Sequence, residues 1–391
     1  MNNPTAGLAP HPRPAGWIRA VVLWSVALFS AGACALDPGV TEREIVIGQT
    51  LSLQGGKNDY AVSAAQGMKL YFDAVNAAGG VNGRRIVQRI LDDDSRAVQA
   101  EANARRLVQE GVFVLFGPID GGPTAAVMKV ATELQVPLFG PLAGAPTLRR
   151  PHQPYVFPVR AEHRDEFRAL LAWTKEIGYR TVGLVHTDTD VGRQHLDNVR
   201  QIALALGLEV VLPLPFKGDA GDPEIDEMVR AMVAKAPQVM LNHGSASLYE
   251  KLIRKAKTAG VKTIFMGVNS GSYQIAKGLG PLAEGMVFSQ VVPSPWERKR
   301  EIVREYQDTA RKARELHEFN YGSLEGFMTA KALVEGLRAA GREPTRAGFV
   351  KALQSMKVDL GGVQLRYAPG EHEGSTFVDL SIVTRQGRFM H

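Results

Sequence analysis

The residues that could do chemistry are scattered along the chain. Three acids stand together at Asp92, Asp93 and Asp94. Such a run could hold a divalent cation, but it lies between a strand-like and a helix-like segment, where acids cap helices and hydrate loops. His186, His195 and His243 match neither H-E-x-x-H nor another short ligand spacing, so no metal site is expected. Ser63, Ser245 and Ser272 lack the G-x-S-x-G setting of a nucleophile elbow. Asp188 and Asp190 could form an acid pair, but without a partnering acid/base motif they read as polar loop groups. The sequence therefore predicts no catalytic residue and no cofactor. What remains is loop backbone. "GPIDGGPT" (117–124) follows the apolar run "VFVLF" (112–116) and precedes "AAVMKVATEL" (125–134). Gly121 and Gly122 allow backbone N–H groups to approach a ligand, and a helix starting near Pro123 adds its partial positive end, worth about 0.3–1 kcal/mol for an anion. A Gly-Lys-Ser/Thr ending and a G-x-G-x-x-G after the first strand are both missing, so a nucleotide is not indicated.

The elements that must position these loops alternate. "EIVIGQT" (44–50), "RIVQRIL" (85–91), "VFVLF" and "VPLFG" (136–140) are strand-like, with helix-like stretches between them. A second series runs through "TVGLVH" (181–186), "EVVLPLPF" (209–216), "QVMLNHG" (238–244), "TIFMG" (263–267) and "GMVFSQVV" (285–292). Repeated β-α-β units build parallel sheets with helices on both faces. The series divide near "PHQPYVFPVR" (151–160), whose three prolines disfavour helix. Two helices around 321–340 and 345–356, then strands in 361–367 and 376–384 and a short last strand after "RQGRF" (385–389), close the chain. The fold class predicted is α/β, with two doubly wound lobes.

Ligands of open parallel sheets bind beyond the carboxyl ends of the strands. Here those ends are polar or glycine-rich, and six converging loops would enclose a small molecule. They nominate Gly55, Lys57 and Asp59 in "LSLQGGKNDY" (51–60), Asp120, Gly121 and Gly122 in "GPIDGGPT", and Leu142, Ala143 and Gly144 in "GPLAGAPT" (140–147). From the second series come Asp188 and Val191 in "HTDTDVG" (186–192), His243 and Ser245 in "NHGSAS" (242–247), and Asn269 in "GVNSGSY" (267–273).

Composition fits this reading. The 391 residues exceed one ordinary core, and 45% hydrophobic with 22% charged residues is globular. The formal net charge of +6 is spread among acids, as in "ERKREIVREYQDTARKARELHE" (297–318), which is a solvated helix face rather than a nucleic-acid surface. Residues 1–35 carry Arg13 and Arg19, no acid, and the apolar run 20–35 ending Ala33-Cys34-Ala35. That is the pattern of a signal peptide cleaved before Leu36, too short for a spanning helix of about 20 residues. The alternative is a lipoprotein site at Cys34, with Ala31 where such sites usually place Leu. Cleavage would remove the only cysteine, as suits an oxidising compartment without needing a disulfide.

These segments resemble the type I periplasmic solute-binding proteins, of the leucine/isoleucine/valine-binding kind. "IVIGQTLSLQGG" is similar to that family's first strand and ligand loop, and "AAQGMKLYFDAVNAAGGVNGRRIVQRILDDD" to its first helix, turn and acidic strand end. "FGPIDGGPTAAVMKVATELQVPLFGPLAGAPTL" resembles the next two loops, "FNYGSLEGFMTAKALVEGLRAAG" a late helix, and "LGGVQLRYAPGEHEGSTFVDLSIVTRQGRF" the closing strands. The resemblance implies two lobes joined by a three-strand hinge, with 42–158 plus 288–365 in one and 159–287 plus 366–391 in the other. It implies a monomer that closes on a small-molecule ligand and docks on the membrane permease of an ABC importer. Amino-acid binders of the family place hydroxyls on the ligand carboxylate where this chain has Gly121 and Gly144, and an aromatic cover where it has Val191. A ligand other than a branched-chain amino acid is expected: a carboxylate lacking an adjacent amine, an amide, or a donor to Asp120 or Asp188. A ligand-sensing receptor subunit of the same fold and a doubly wound enzyme without a recognisable motif are the rival readings.

Overall fold

The computed structural model describes residues 37–391 apart from 55–57, 218–219, 245 and 315–317, together with residues 1, 7 and 9. The rest of the leader, Cys34 included, falls outside the described residues, as do Gly55, Lys57 and Ser245.

The chain from residue 37 onward folds around two separate sheets. The first series runs β1 (Glu44–Leu51), α1 (Asp59–Ala77), β2 (Arg85–Asp92), α2 (Ala97–Gln109), β3 (Val114–Phe116), α3 (Gly121–Leu134), β4 (Leu138–Phe139) and β5 (Val156–Phe157). Its five strands are parallel in the order β2-β1-β3-β4-β5. β3 and β4 are short and fully buried, as strands covered on both faces must be. Within the proline-rich connection, Val156 and Phe157 add an edge strand that the sequence did not suggest.

The second series begins with α4 (His163–Glu176) and continues β6 (Thr181–Thr187), α5 (Asp190–Leu206), β7 (Glu209–Phe216), α6 (Asp222–Lys235) and β8 (Val239–His243). It goes on with α7 (Ala246–Thr258), β9 (Ile264–Gly267), α8 (Ser272–Leu279) and β10 (Val287–Gln290). The chain then returns to the first lobe through α9 (Glu301–Ala313), α10 (Tyr321–Ala339) and α11 (Arg346–Leu353). A small antiparallel sheet of β11 (Lys357–Asp359), β12 (Gln364–Ala368) and β13 (Glu371–Gly374) follows. Last come β14 (Asp379–Val383) and β15 (Phe389–Met390), which pair antiparallel beside β10 and finish the second sheet as β15-β14-β10-β9-β8-β6-β7. The chain thus passes between the sheets three times: after β5, after β10 and after β13.

α10 is buried over nearly its whole length because it lies against α1. Two glycines make that approach possible. A Cβ on Gly67 would stand 1.8 Å from the Ser323 carbonyl oxygen, and one on Gly326 would stand 2.0 Å from that of Ala64. The fully buried Leu324, Phe327 and Met328 of α10 share one apolar core with Ala64, Met68 and Phe72 of α1.

Candidate functional site

The loops after β3, β4, β6, β8 and β9 meet on one cavity of about 480 Å³. From the first lobe come Asp120, Gly121, Gly122 and Ala125 at the start of α3, and Leu142, Ala143 and Ala145 beyond β4. Thr187, Thr189, Val191, Asn242, His243, Val268 and Ser270 face them from the second, with His163 of α4 and His195 of α5. Seven sequence-nominated residues therefore line the cavity: Asp120, Gly121, Gly122, Leu142, Ala143, Val191 and His243. Four do not. Asp59 is exposed at the start of α1, and Asp188 accepts a bond from Arg193 Nη1 at 2.9 Å on the surface. Asn269 is buried behind the site, and Gly144 packs against His163. The acidic run also lies elsewhere: Asp93 is buried, accepting from Thr50 Oγ1 at 3.1 Å and the Ser95 N–H at 3.0 Å.

Asp120 precedes α3 with φ of +68°, a backbone conformation uncommon outside glycine. Its carboxylate does not cap the helix. It accepts instead from Asn58 Nδ2 at 2.7 Å and Ser95 Oγ at 3.2 Å, while Asn58 Oδ1 caps α1 by accepting the Ala61 N–H. Burial raises the Asp120 pKa, against the pull of those two donors. Pro123 has no N–H and Thr124 N–H returns to the Asp120 carbonyl at 3.1 Å. The Gly121 and Gly122 N–H groups are left without a partner among the described residues, at the positive end of a 14-residue helix.

The opposite wall is built from imidazoles. His195 and His243 have ring centroids 3.7 Å apart, and His163 lies 4.6 Å from His243 and 5.4 Å from His195. Phe167 backs His195 and His243 edge-on at 5.8 Å. Both ring nitrogens of His195, and Nδ1 of His243, are buried without a hydrogen-bond partner. Burial holds all three rings neutral, with the His195 pKa lowered to about 3 and those of His243 and His163 below the ordinary value. Sequence spacing treated His195 and His243 as unrelated, and His163 was missed with its whole helix. Its signal was the helical spacing of Phe167, Leu170, Leu171 and Thr174, all buried in α4. Among the described residues no group of three His, Cys, Asp or Glu side chains is arranged to hold a metal ion.

His163 is oriented from behind. Its Nδ1 lies 2.7 Å from Glu166 Oε2, which also accepts from Arg160 Nη2 at 2.8 Å. Glu166 Oε1 accepts from the Asn269 N–H and Ser289 Oγ, both at 2.9 Å. Burial opposes charge on Glu166, but Arg160 and these donors outweigh it and hold the carboxyl well below its usual range. With Glu166 ionised, the proton on Nδ1 is shared with it, and Nε2 is the lone-pair nitrogen. Arg160 reaches across to Glu325 of α10 at 3.6 Å, and Glu325 Oε2 accepts from Tyr60 Oη at 2.5 Å and Asn269 Nδ2 at 2.6 Å. Asn269, nominated as a ligand contact, thus ties the second lobe to the first.

Two α/β lobes with one polar-ended cleft between them define a binding protein of the two-lobed class. The match to the periplasmic binding protein family model runs over residues 44–382, and the chain belongs to that family. It is 24% identical over 226 residues to the leucine-, isoleucine-, valine-, threonine- and alanine-binding protein of Pseudomonas aeruginosa, a match spanning 56% of this chain and 59% of that protein. It is 24% identical over 335 residues to Leu/Ile/Val-binding protein homolog 1 of Brucella melitensis, covering 82% of this chain and 83% of the relative. The fold is similar to a possible leucine/isoleucine/valine-binding protein from Rhodopirellula baltica, with a TM-score of 0.82, 21% identity, and 92% and 98% of the two chains covered. It is also similar to an ABC transporter solute-binding protein from R. palustris in complex with benzoate, with a TM-score of 0.77, 18% identity, and 89% and 95% covered.

Proposed function

We propose that the chain is an extracytoplasmic solute-binding protein. It captures a small polar ligand, amino acid-like or a carboxylate or amide, between its lobes and delivers it to the permease of an ABC importer. The observation that carries this reading is a cavity walled from both lobes by the loops beyond the strand ends. The relatives that bind amino acids or benzoate support a ligand of that size. Closure follows from contacts that a ligand can make with both walls only when the lobes meet around it. In this reading residues 1–35 direct export and are removed before Leu36, and the protein works as a monomer. The expected lobes, 42–158 plus 288–365 and 159–287 plus 366–391, shift at two bounds in this reading, so that β10 stays whole in the second lobe with β9 and β14, and β12 and β13 stay in the first with β11.

Native mass spectrometry of the exported protein is expected to reveal a co-purified small molecule. Restored at about a hundred times its Kd after removal, that molecule should add about 2.7 kcal/mol of stability by mass action. It should also reduce the radius of gyration in solution scattering. A molecule that raises the melting temperature but leaves the scattering curve unchanged would overturn the hinge mechanism.

A further inference from the structure

We propose that His163, His195 and His243 form a proton-accepting anion subsite on the second lobe, so that the cleft takes up an apolar monocarboxylate together with one proton. The inference rests on the binding reading above and names the ligand class of that same cleft.

The donor and acceptor inventory of the cavity leads there. Its first-lobe polar groups are the unpartnered N–H groups of Gly121 and Gly122, which can only donate. Its one carboxylate among the described residues, Asp120, is already engaged by Asn58 and Ser95. The second lobe offers imidazole nitrogens without partners on His195, which is fully buried, and on His243. The rest of the wall is largely apolar, with Leu142, Ala143, Val191 and Val268 among its residues. A ligand that completes this set brings an acceptor-rich head and an apolar body. A carboxylate fits. An adjacent ammonium is served less well: Asp120 and Glu166 are already engaged, which leaves Asn242 Oδ1 as the buried side-chain oxygen without a partner on the wall among the described residues.

Charge then requires a proton. No lysine or arginine lines the cavity among the described residues, so a carboxylate entering alone would be an unpaired buried charge. The rings can accept the compensating proton from solvent, either as imidazolium or in a hydrogen bond shared with the carboxylate oxygen. The titratable groups facing them are Glu166, Arg160 and Arg149 behind His163, His186 near His195, and Asp120 across the cleft. Of these, Asp120 and His186 could take the proton instead. Gly144 is part of the same device: a Cβ there would stand 2.7 Å from His163 Nδ1, so the ring occupies the space that a hydroxyl side chain on this loop would need.

The test is calorimetric titration of the whole exported protein with benzoate, its neutral amide benzamide, and leucine, at about pH 7.5, 6.5 and 5.5 in two buffers of different ionisation enthalpy. Benzoate should tighten by up to about tenfold per pH unit lost, with about one proton taken up. Benzamide should bind at least about tenfold more weakly than benzoate at the lowest pH. His195→Phe should keep the fold but lose the slope and the proton, whereas Asp120→Asn, which alters the cleft wall itself, should change the affinity at every pH alike and leave the slope and the proton in place. If His195→Phe does not fold, His243→Gln carries the same expectation. Benzoate affinity that is flat, weakens on acidification, or is absent at the lowest pH overturns the inference, as does a slope abolished by Asp120→Asn alone. Leucine that binds and compacts the protein while benzoate does not bind would overturn it and leave the binding reading standing.

Discussion

At the scale of single residues, two glycines that look alike in sequence have different causes. Gly121 has nothing within 4 Å of the position of a Cβ, whereas Gly144 has the ring and the backbone nitrogen of His163 within 2.8 Å. Gly121→Ser should therefore leave stability within about 0.5 kcal/mol of the parent. It should also restore a hydroxyl at the cleft and tighten leucine by about tenfold in calorimetry. Gly144→Ser must displace His163 and should cost about 1–3 kcal/mol in urea denaturation. Glu166 is a third case. Its charge holds Arg160 and orients His163, both buried, so Glu166→Gln leaves Arg160 without its closest countercharge. A loss of about 3–5 kcal/mol at neutral pH is expected. Because the folded pKa is depressed, this contribution is present above the ordinary glutamate value and is lost as pH falls through the folded one. The difference between parent and variant should therefore shrink in acid melts.

At the scale of elements, Gly67 and Gly326 set how closely α1 and α10 approach, and through them where Asn58, Tyr60 and Glu325 stand. Gly67→Ala or Gly326→Ala puts a methyl into a carbonyl of the facing helix. Each should lower the unfolding free energy by about 1–3 kcal/mol, and the pair should be non-additive because the helices separate only once. Period-two and continuous apolar runs made β1, β2 and the strands of the second sheet legible, because strands covered by helices must be apolar throughout. The loops could be read for the same reason: polar and glycine residues crowd where strands end. Illegible were β5, hidden in a proline-rich segment and only two residues long, and α4, whose pattern lies just past that segment. Losing α4 meant losing His163 and Glu166. The histidine wall could not be seen either, because its members come from α4, α5 and β8 and meet only through the sheet order. Arg160 and Glu325 are 165 positions apart and become partners only when the first crossover meets α10.

At the scale of the whole molecule, the buried imidazoles make the fold acid-labile. His195 is held to a pKa of about 3 and His372 to about 4, each chiefly by burial, and His163, His186 and His243 are shifted in the same direction. In the unfolded chain each returns to about 6.5. Above that pH neither state binds the proton and the histidines contribute no slope. Below it the unfolded chain gains protons that the folded one refuses, so stability falls until the folded pKa is reached. Each such ring contributes about 1.4 kcal/mol per pH unit, so His195 and His372 together remove about 5 kcal/mol between pH 6.5 and 4.5, a large part of a normal domain's stability. Asp93, Asp120 and Glu325 act oppositely: burial raises their folded pKa values, so protonation favours the fold in acid and offsets part of the loss. The melting temperature should be flat above about pH 7 and drop steeply below about 6. His195→Phe isolates one step. Both nitrogens of that ring lack partners and Phe167 packs against it, so a phenyl of similar shape removes the titration without leaving a polar atom stranded. The variant should match or exceed the parent at neutral pH and exceed it by about 2 kcal/mol near pH 5 in urea melts. Equal stability of the two proteins at both pH values would mean that His195 keeps its ordinary pKa in the folded state.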